Sequence, residues 1–396
     1  MRAWTALFVT GLLALAPGPS PASGPGCAWP AELEPTLVNV LYPDQSARYW
    51  VTAIPAAPDT SLVLRGAFPH ARYMSFTTYT ATAQSIDGIH DARIVPDAGG
   101  TNPFFPGADR TAAARGYTVR VVIGNRPAVP QQNTLYTGNE DGSKSARFFL
   151  LAYRVFRPDA GRGDAGGVPL PTITVRQPGL GDVALPDCET PAIPPNDVNA
   201  TIANTDPVAP ALVGYPGLDP PVWHKFYNFA EAGSRSTDNE ITGTSLSDEM
   251  APGAMERFPK GGFADNPDNN YIYTFVNRGY RPLVLLRGRL PTTPRTVNGE
   301  PVMGSGQLRY WSLCTNHALT QRFYACLTDD QLVTDADGDY RIVISAQQDR
   351  PADATPECGN NWLPMGPTND TVLIMRNMLP DPAFEYSIQQ AGYGTE

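Results

Sequence analysis

The residues of this chain best suited to binding chemistry are arginines, tryptophans and a histidine set inside apolar runs. In FPHARYMSF (68–76), His70 and Arg72 stand two apart, and in RYWS (309–312) Arg309 and Trp311 have the same spacing. NWLP (361–364) adds Asn361 and Trp362. A guanidinium recognises anionic or polyhydroxylated groups through its planar fork of donors, and an indole face stacks on a sugar ring or closes a core. His70, Arg72, Arg309, Trp311, Asn361 and Trp362 are therefore the candidate ligand-binding residues. The competing reading makes the arginines pins that hold strand ends. A buried guanidinium keeps its charge, so pins need carbonyl or carboxylate partners, for which Asp44, Asp159, Asp268 and Asp381 are placed.

Catalytic and metal-binding signatures do not appear. His70, His90, His224 and His317 are scattered, and there is no HExxH, no paired CxxC, no GxSxG elbow and no GxGxxG. No cofactor and no metal are expected, and catalytic residues stay unassigned. DADGDY (335–340) has Asp335, Asp337 and Asp339 on alternate positions like a calcium loop. It lacks the downstream bidentate glutamate and stands directly before a strand, where Asp-Gly makes a turn. The catalytic alternative is an extracellular hydrolase with its site at the junction of two repeats, where His70, His224 or His317 would meet a carboxylate or a serine oxygen; a triad assembled in space could draw on Ser75 and His70.

The N-terminus carries Arg2, an apolar run from Ala6 to Ala16, and small residues at Ser20 and Ala22, which is the pattern of a cleaved signal peptide over residues 1–22. No later stretch has the roughly 20 apolar residues of a membrane span, so a secreted protein without stable membrane insertion is expected. A formal charge of −10 opposes nucleic-acid partners, which require a basic footprint. In an oxidising compartment the five cysteines can pair. Cys27 and Cys188 bracket the first half and Cys314 and Cys326 flank a hairpin, so both bridges are expected. That leaves Cys358 free, unless it displaces one of the hairpin cysteines.

Further along the chain, SLVLRGAFP (61–69) returns as PLVLLRGRLP (282–291), and a series of further matches follows in the same order. YTVRVVI (117–123) answers YRIVISA (340–346), and FFLLAYRVFRPD ends at Asp159 where TVLIMRNMLPD ends at Asp381. Short Val-, Ile-, Tyr- and Phe-rich runs, punctuated by 41 prolines and 36 glycines, read as strands and exclude long helices. The expected architecture is all-β: two duplicated antiparallel β-sandwich or jelly-roll domains packed together, with little helix. Their expected bounds are 27–178 and 261–390, joined by a Pro-rich surface linker over 179–260. Positions kept in both copies, such as Arg154 with Arg376, should serve folding. Positions kept in one copy, such as His70, Trp311 and Trp362, are freer to serve function.

The RYWS, DGDYRIVI and NNWLP segments, with the Pro-Asp pairs at Asp44 and Asp268, resemble a family of bacterial proteins made of two modules, both of them domains of unknown function. The resemblance spans most of residues 35–160 and 263–385, implies a tandem β-sandwich fold, and implies no reaction. The expectation for function is a secreted protein that binds a carbohydrate, a small ligand or a cell-envelope component without chemistry.

Overall fold

The computed structural model describes residues 26–388, apart from 37, 38, 40, 56–58, 82, 147, 178, 180, 189–214, 226–264 and 319. The signal-peptide segment and most of the 179–260 linker lie outside the described residues. The chain divides into two compact units. Unit 1 takes Ser46–Thr201 with Met1–Val38 and Pro294–Ser305, and unit 2 takes Ile202–Thr293 and Gly306–Glu396 with Asn39–Gln45. Each unit thus includes a short segment from the other half of the sequence. Among the described residues no helix is long and apolar enough to cross a membrane.

Unit 1 holds β1 (Ala31–Leu33), β2 (Ala47–Pro55), β3 (Ser61–Ala67), β4 (Ala71–Thr80), β5 (Ser85–His90), β6 (Gly116–Asn125), β7 (Thr134–Gly138), β8 (Phe148–Pro158), β9 (Thr172–Gln177) and β10 (Gly181–Ala184). They form two sheets, ordered β1-β2-β8-β4-β5 and β10-β9-β3-β6-β7. Alternate residues of both sheets meet in one core. Met74, Phe76, Leu151 and Tyr153 come from the first sheet, and Leu62, Leu64, Val119, Val121 and Ile173 from the second. Unit 2 holds β11 (His224–Lys225), β12 (Asn269–Asn277), β13 (Leu283–Arg289), β14 (Tyr310–His317), β15 (Phe323–Thr328), β16 (Asp339–Ser345), β17 (Asn361–Pro364) and β18 (Asp370–Met378). Its sheets run β11-β12-β18-β14-β15 and β13-β16-β17. β7 joins β6 in parallel, and β17 joins β16 in parallel, so one sheet of each unit is mixed and the other is antiparallel throughout.

The repeated phrases have local physical reasons. In the Arg-Gly pair of β3, a Cβ on Gly66 would lie 2.6 Å from the Tyr117 hydroxyl, and on Gly288 of β13 it would lie 2.7 Å from that of Tyr340. Each tyrosine ring crosses the strand beside it, and only glycine leaves room. Asn133 and Asn361 are also matched. The Asn361 amide accepts from Val333 N and donates to the carbonyls of Val333 (2.8 Å) and Arg341 (3.1 Å). Asn133 does the same with Val95 N and the carbonyls of Val95 (2.8 Å) and Thr118 (3.0 Å). Both side chains act as a one-residue strand that ties a loop to the sheet.

β4, β8 and β18 are buried on both faces, so their polar residues need partners inside the protein. Arg154 donates to Thr77 Oγ1 (2.8 Å) and to the Tyr79 hydroxyl, and its guanidinium lies over the rings of Tyr49 and Tyr79. Asp159, one of the four carboxylates placed for the arginines, bonds Arg110. Arg376 donates to the Tyr42 carbonyl (2.6 Å) and stands 3.9 Å from Asp44, whose carboxylate accepts from the Tyr310 hydroxyl (2.9 Å) and Ser312 Oγ (2.6 Å). Asp44, in the Pro-Asp pair that precedes the first strand of the first copy, belongs to unit 2 through the Asn39–Gln45 segment.

The bridges Cys27–Cys188 and Cys314–Cys326 are both formed, and Cys358 is free and exposed. Two disulfides point to an oxidising, extracytoplasmic compartment. A peptide map of the unreduced, unfolded protein should recover both cross-links and a single alkylated thiol at Cys358. Removing Arg376 strands a buried carboxylate, so Arg376→Met should cost about 3 kcal/mol in urea unfolding. Arg287→Met, at an exposed position, should cost less than about 0.5 kcal/mol.

Candidate functional site

Of the candidate ligand-binding residues, His70 and Arg72 lie in a cationic cluster of unit 1. The cluster is assembled where β4 starts and β8 ends. Ala71 pairs with Pro158 at that point of the ladder, and the next residue, Asp159, donates its N–H to the His70 carbonyl at 2.9 Å. The chain then enters DAGRGDAGGV, in which Gly161, Gly163, Gly166 and Gly167 all have positive φ. The Gly166 carbonyl accepts from His70 N (2.8 Å), and a Cβ on that glycine would lie 2.7 Å from Pro69 Cβ. Glycine is thus required for the loop to lie against the His70 backbone.

Two further arginines enter from the segment before β6. Arg110 donates from Nη2 to both carboxylate oxygens of Asp159, at 2.6 and 2.7 Å, and from Nη1 to the carbonyls of Glu300 (2.7 Å) and Thr296 (3.2 Å). Arg72 donates Nε–H to Thr296 Oγ1 at 2.8 Å. The Pro294–Ser305 segment, part of unit 1, therefore supplies acceptors that two buried arginines require. Arg115 is fixed by its carbonyl, which accepts from Phe68 N at 2.9 Å. Its Nη1 meets both ring nitrogens of His70, at 3.0 Å for Nδ1 and closer still for Nε2. Arg115 is only 6% exposed, yet its Nε has no hydrogen-bond partner.

Charge is unbalanced here. Asp159 is committed to Arg110, which leaves Arg115 and the exposed Arg162 without a buried carboxylate of their own. Burial, then the charge of Arg110, pulls the Arg115 guanidinium down to about 10. Burial, then the charge of Arg115, pulls His70 down to about 4, so the imidazole is neutral at pH 7 and accepts from Arg115. Burial holds the Asp159 carboxyl above its ordinary range although Arg110 draws it down. Half-buried His70 and exposed Arg162 open the cluster to solvent. Such an arrangement can accept an anion, and it equips His70 poorly as a base.

The other sequence candidates lie elsewhere. Trp311 is 1% exposed and packs beside Tyr340 in the core of unit 2, and Asn361 is the buried loop tie described above. Arg309 is half-buried just before β14. Half-buried Trp362 donates Nε1–H to Ser345 Oγ (3.1 Å), and the Arg350 guanidinium stacks 4.3 Å from its ring centroid. Ser75, named in the catalytic alternative, is fully buried with an unpartnered hydroxyl. The carboxylate of Asp335 accepts from Asp337 N and Asp339 N in a turn, each at 3.0 Å. Sequence reasoning passes over Arg110, Arg115 and Arg162. A signal exists: when Tyr117 is set on Tyr340, Arg115 falls opposite Gly338, so it occurs in one half only.

The fold and site define an all-β protein of two sheet-paired units with a cationic cluster in the first. Neither a protein-family model nor any curated protein matches the chain. It is similar in structure to an uncharacterized protein from Burkholderia cenocepacia, with a TM-score of 0.50 and 11% identity over 96% of this chain and 84% of that one. It is also similar to the VPA0106 protein from Vibrio parahaemolyticus, with a TM-score of 0.43 and 10% identity over 97% of this chain and 96% of that one. The first likeness bears on the fold alone.

The depressed His70 value makes a testable difference. Between about pH 6.5 and pH 4 the unfolded chain binds the extra proton, so His70 stabilises the fold fully above that window and progressively less within it. Melting temperatures measured across that range should fall less steeply for His70→Asn than for the unaltered protein.

Proposed function

We propose that this chain is an exported, non-catalytic binding protein whose ligand is a small anion, a carboxylate- or phosphate-bearing molecule such as an acidic sugar of the cell envelope. The observation that carries the reading is Arg115: a guanidinium almost without exposure, with an unpartnered Nε and a neutral imidazole as its neighbour. Buried charges are ordinarily matched, and Arg110, Arg72 and Arg376 all are in this protein. An anion beside Arg115 and Arg162 would complete the set. It would also raise the basicity of His70 and couple binding to proton uptake, so affinity should increase below neutral pH.

The non-catalytic reading is supported by the histidines. His70 is held neutral, and the His317 ring nitrogen accepts from Thr320 N at 2.9 Å. With a pKa near 4, His70 is too weak a base to activate water efficiently at pH 7.

Thermal shift and calorimetry on the full chain test the reading with glucuronate, inorganic phosphate and glucose. A ligand at 100 times its Kd stabilises by about 2.7 kcal/mol, a readily measured rise. Glucuronate or phosphate should raise the melting temperature and glucose should not, with the stronger of the two naming the anion class. Arg115→Gln should abolish the effect. A glucose response equal to that of glucuronate, or an unchanged response in Arg115→Gln, would overturn the proposal.

A further inference from the structure

The strands β3 and β13 carry the same Leu-Arg-Gly triplet, at 64–66 and 286–288, but they end up in different positions within their sheets. β3 is paired on both sides, with β6 and with β9. β13 pairs with β16 alone and forms the edge of its sheet among the described residues. The exposure of the outward-facing residue records the difference: Val63 of β3 is 2% exposed and Leu285 of β13 is 43% exposed. An exposed apolar edge presents unpaired backbone donors and acceptors to any extended chain.

The charges beside that edge specify what kind of chain fits. In unit 1, Arg65 stands opposite Thr118 of β6 and Thr172 of β9. In unit 2, Arg287 stands directly opposite Arg341. Both are exposed, and neither has an ion-pair partner among the described residues. Like charges placed opposite each other on one face are destabilising. One step along the same face, Arg289 is opposite Asp339 and bonds it at 2.9 Å, so the neighbouring pair is balanced and this one is not. Pairing β13 with a second copy of itself would bring two more Arg287 and Arg341 side chains to the seam. Charge complementarity therefore favours an acidic strand over a second copy of β13.

We propose that the edge of β13 left open among the described residues is a docking site for an extended peptide segment that joins the sheet antiparallel, sets apolar residues beside Val284 and Leu286, and places an acidic residue opposite Arg287. The geometry is the one β9 adopts in unit 1, where Val175 pairs with Leu62, Ile173 with Leu64 and Thr172 with Arg65. Main-chain hydrogen bonds supply affinity and the alternate side chains supply selectivity. The site is separate from the cationic cluster of unit 1 and does not depend on the anion-binding reading.

The test uses synthetic peptides of residues 171–177 (PTITVRQ), unsubstituted and carrying Thr172→Glu or Thr172→Lys, bound to the full chain and followed by fluorescence anisotropy. The Thr172→Glu peptide should bind several-fold more tightly than the unsubstituted one, and the Thr172→Lys peptide more weakly. The exposed double substitution Arg287→Glu with Arg341→Glu should reverse that order, and Leu285→Lys should weaken all three. Absence of binding, or binding that ignores these substitutions, would overturn the proposal. So would a concentration-dependent dimer in sedimentation without peptide that Leu285→Lys abolishes, because the occupant would then be a second copy of the chain.

Discussion

Strands covered on both faces leave a charged side chain no route to water, and much of this protein follows from how that constraint is met. An ion moved out of water loses several kcal/mol of solvation, which only close donors and acceptors return. Asp44 shows the solution in unit 2, where two hydroxyls bond its carboxylate and Arg376 lies within ion-pair distance. The residues that provide it, Asn39–Gln45, come from the far side of the sequence. Unit 1 uses the reverse: Pro294–Ser305 delivers carbonyls and a hydroxyl to Arg110 and Arg72. Each short segment is thereby tied into the unit whose buried charge it satisfies.

The arginines of the two large sheets meet the same demand with different chemistry. Arg376 uses a carbonyl and a nearby carboxylate, whereas Arg154 uses hydroxyls and the faces of Tyr49 and Tyr79. Aromatic faces offer negative potential without the desolvation cost of a second ion. Against this background Arg115 stands out. Burial and the charges of Arg110 and Arg162 pull its guanidinium down, against the opposing charges of Asp159 and exposed Asp109, and its side chain meets a neutral histidine.

The two units also solve identical backbone problems identically. Asn133 and Asn361 each tie a loop to a sheet, and Gly66 and Gly288 each make room for a crossing tyrosine. The units part company at the edge of the smaller sheet. There β9 and β10 extend unit 1, while β13 is left with one neighbour among the described residues.

The β architecture, the two cysteine pairs and the recurrence of strand phrases are legible in the sequence. These are local properties: alternation of apolar residues, proline and glycine punctuation, and cysteines set at the ends of a segment or on facing strands of a hairpin. It also pointed to His70 and Arg72, because a histidine and an arginine inside an apolar run must be accounted for. The partners of the arginines it misplaces. Asp44 reads with the half of the chain it precedes, and Asp159 with the strand it follows. Trp311 and Asn361 read as ligand residues from their types alone, although one is core and the other a loop tie. Arg110, Arg115 and Arg162 lie in irregular segments with no periodicity to read. Which guanidinium ends beside which carboxylate depends on contacts between residues up to hundreds of positions apart, and only the folded chain decides that.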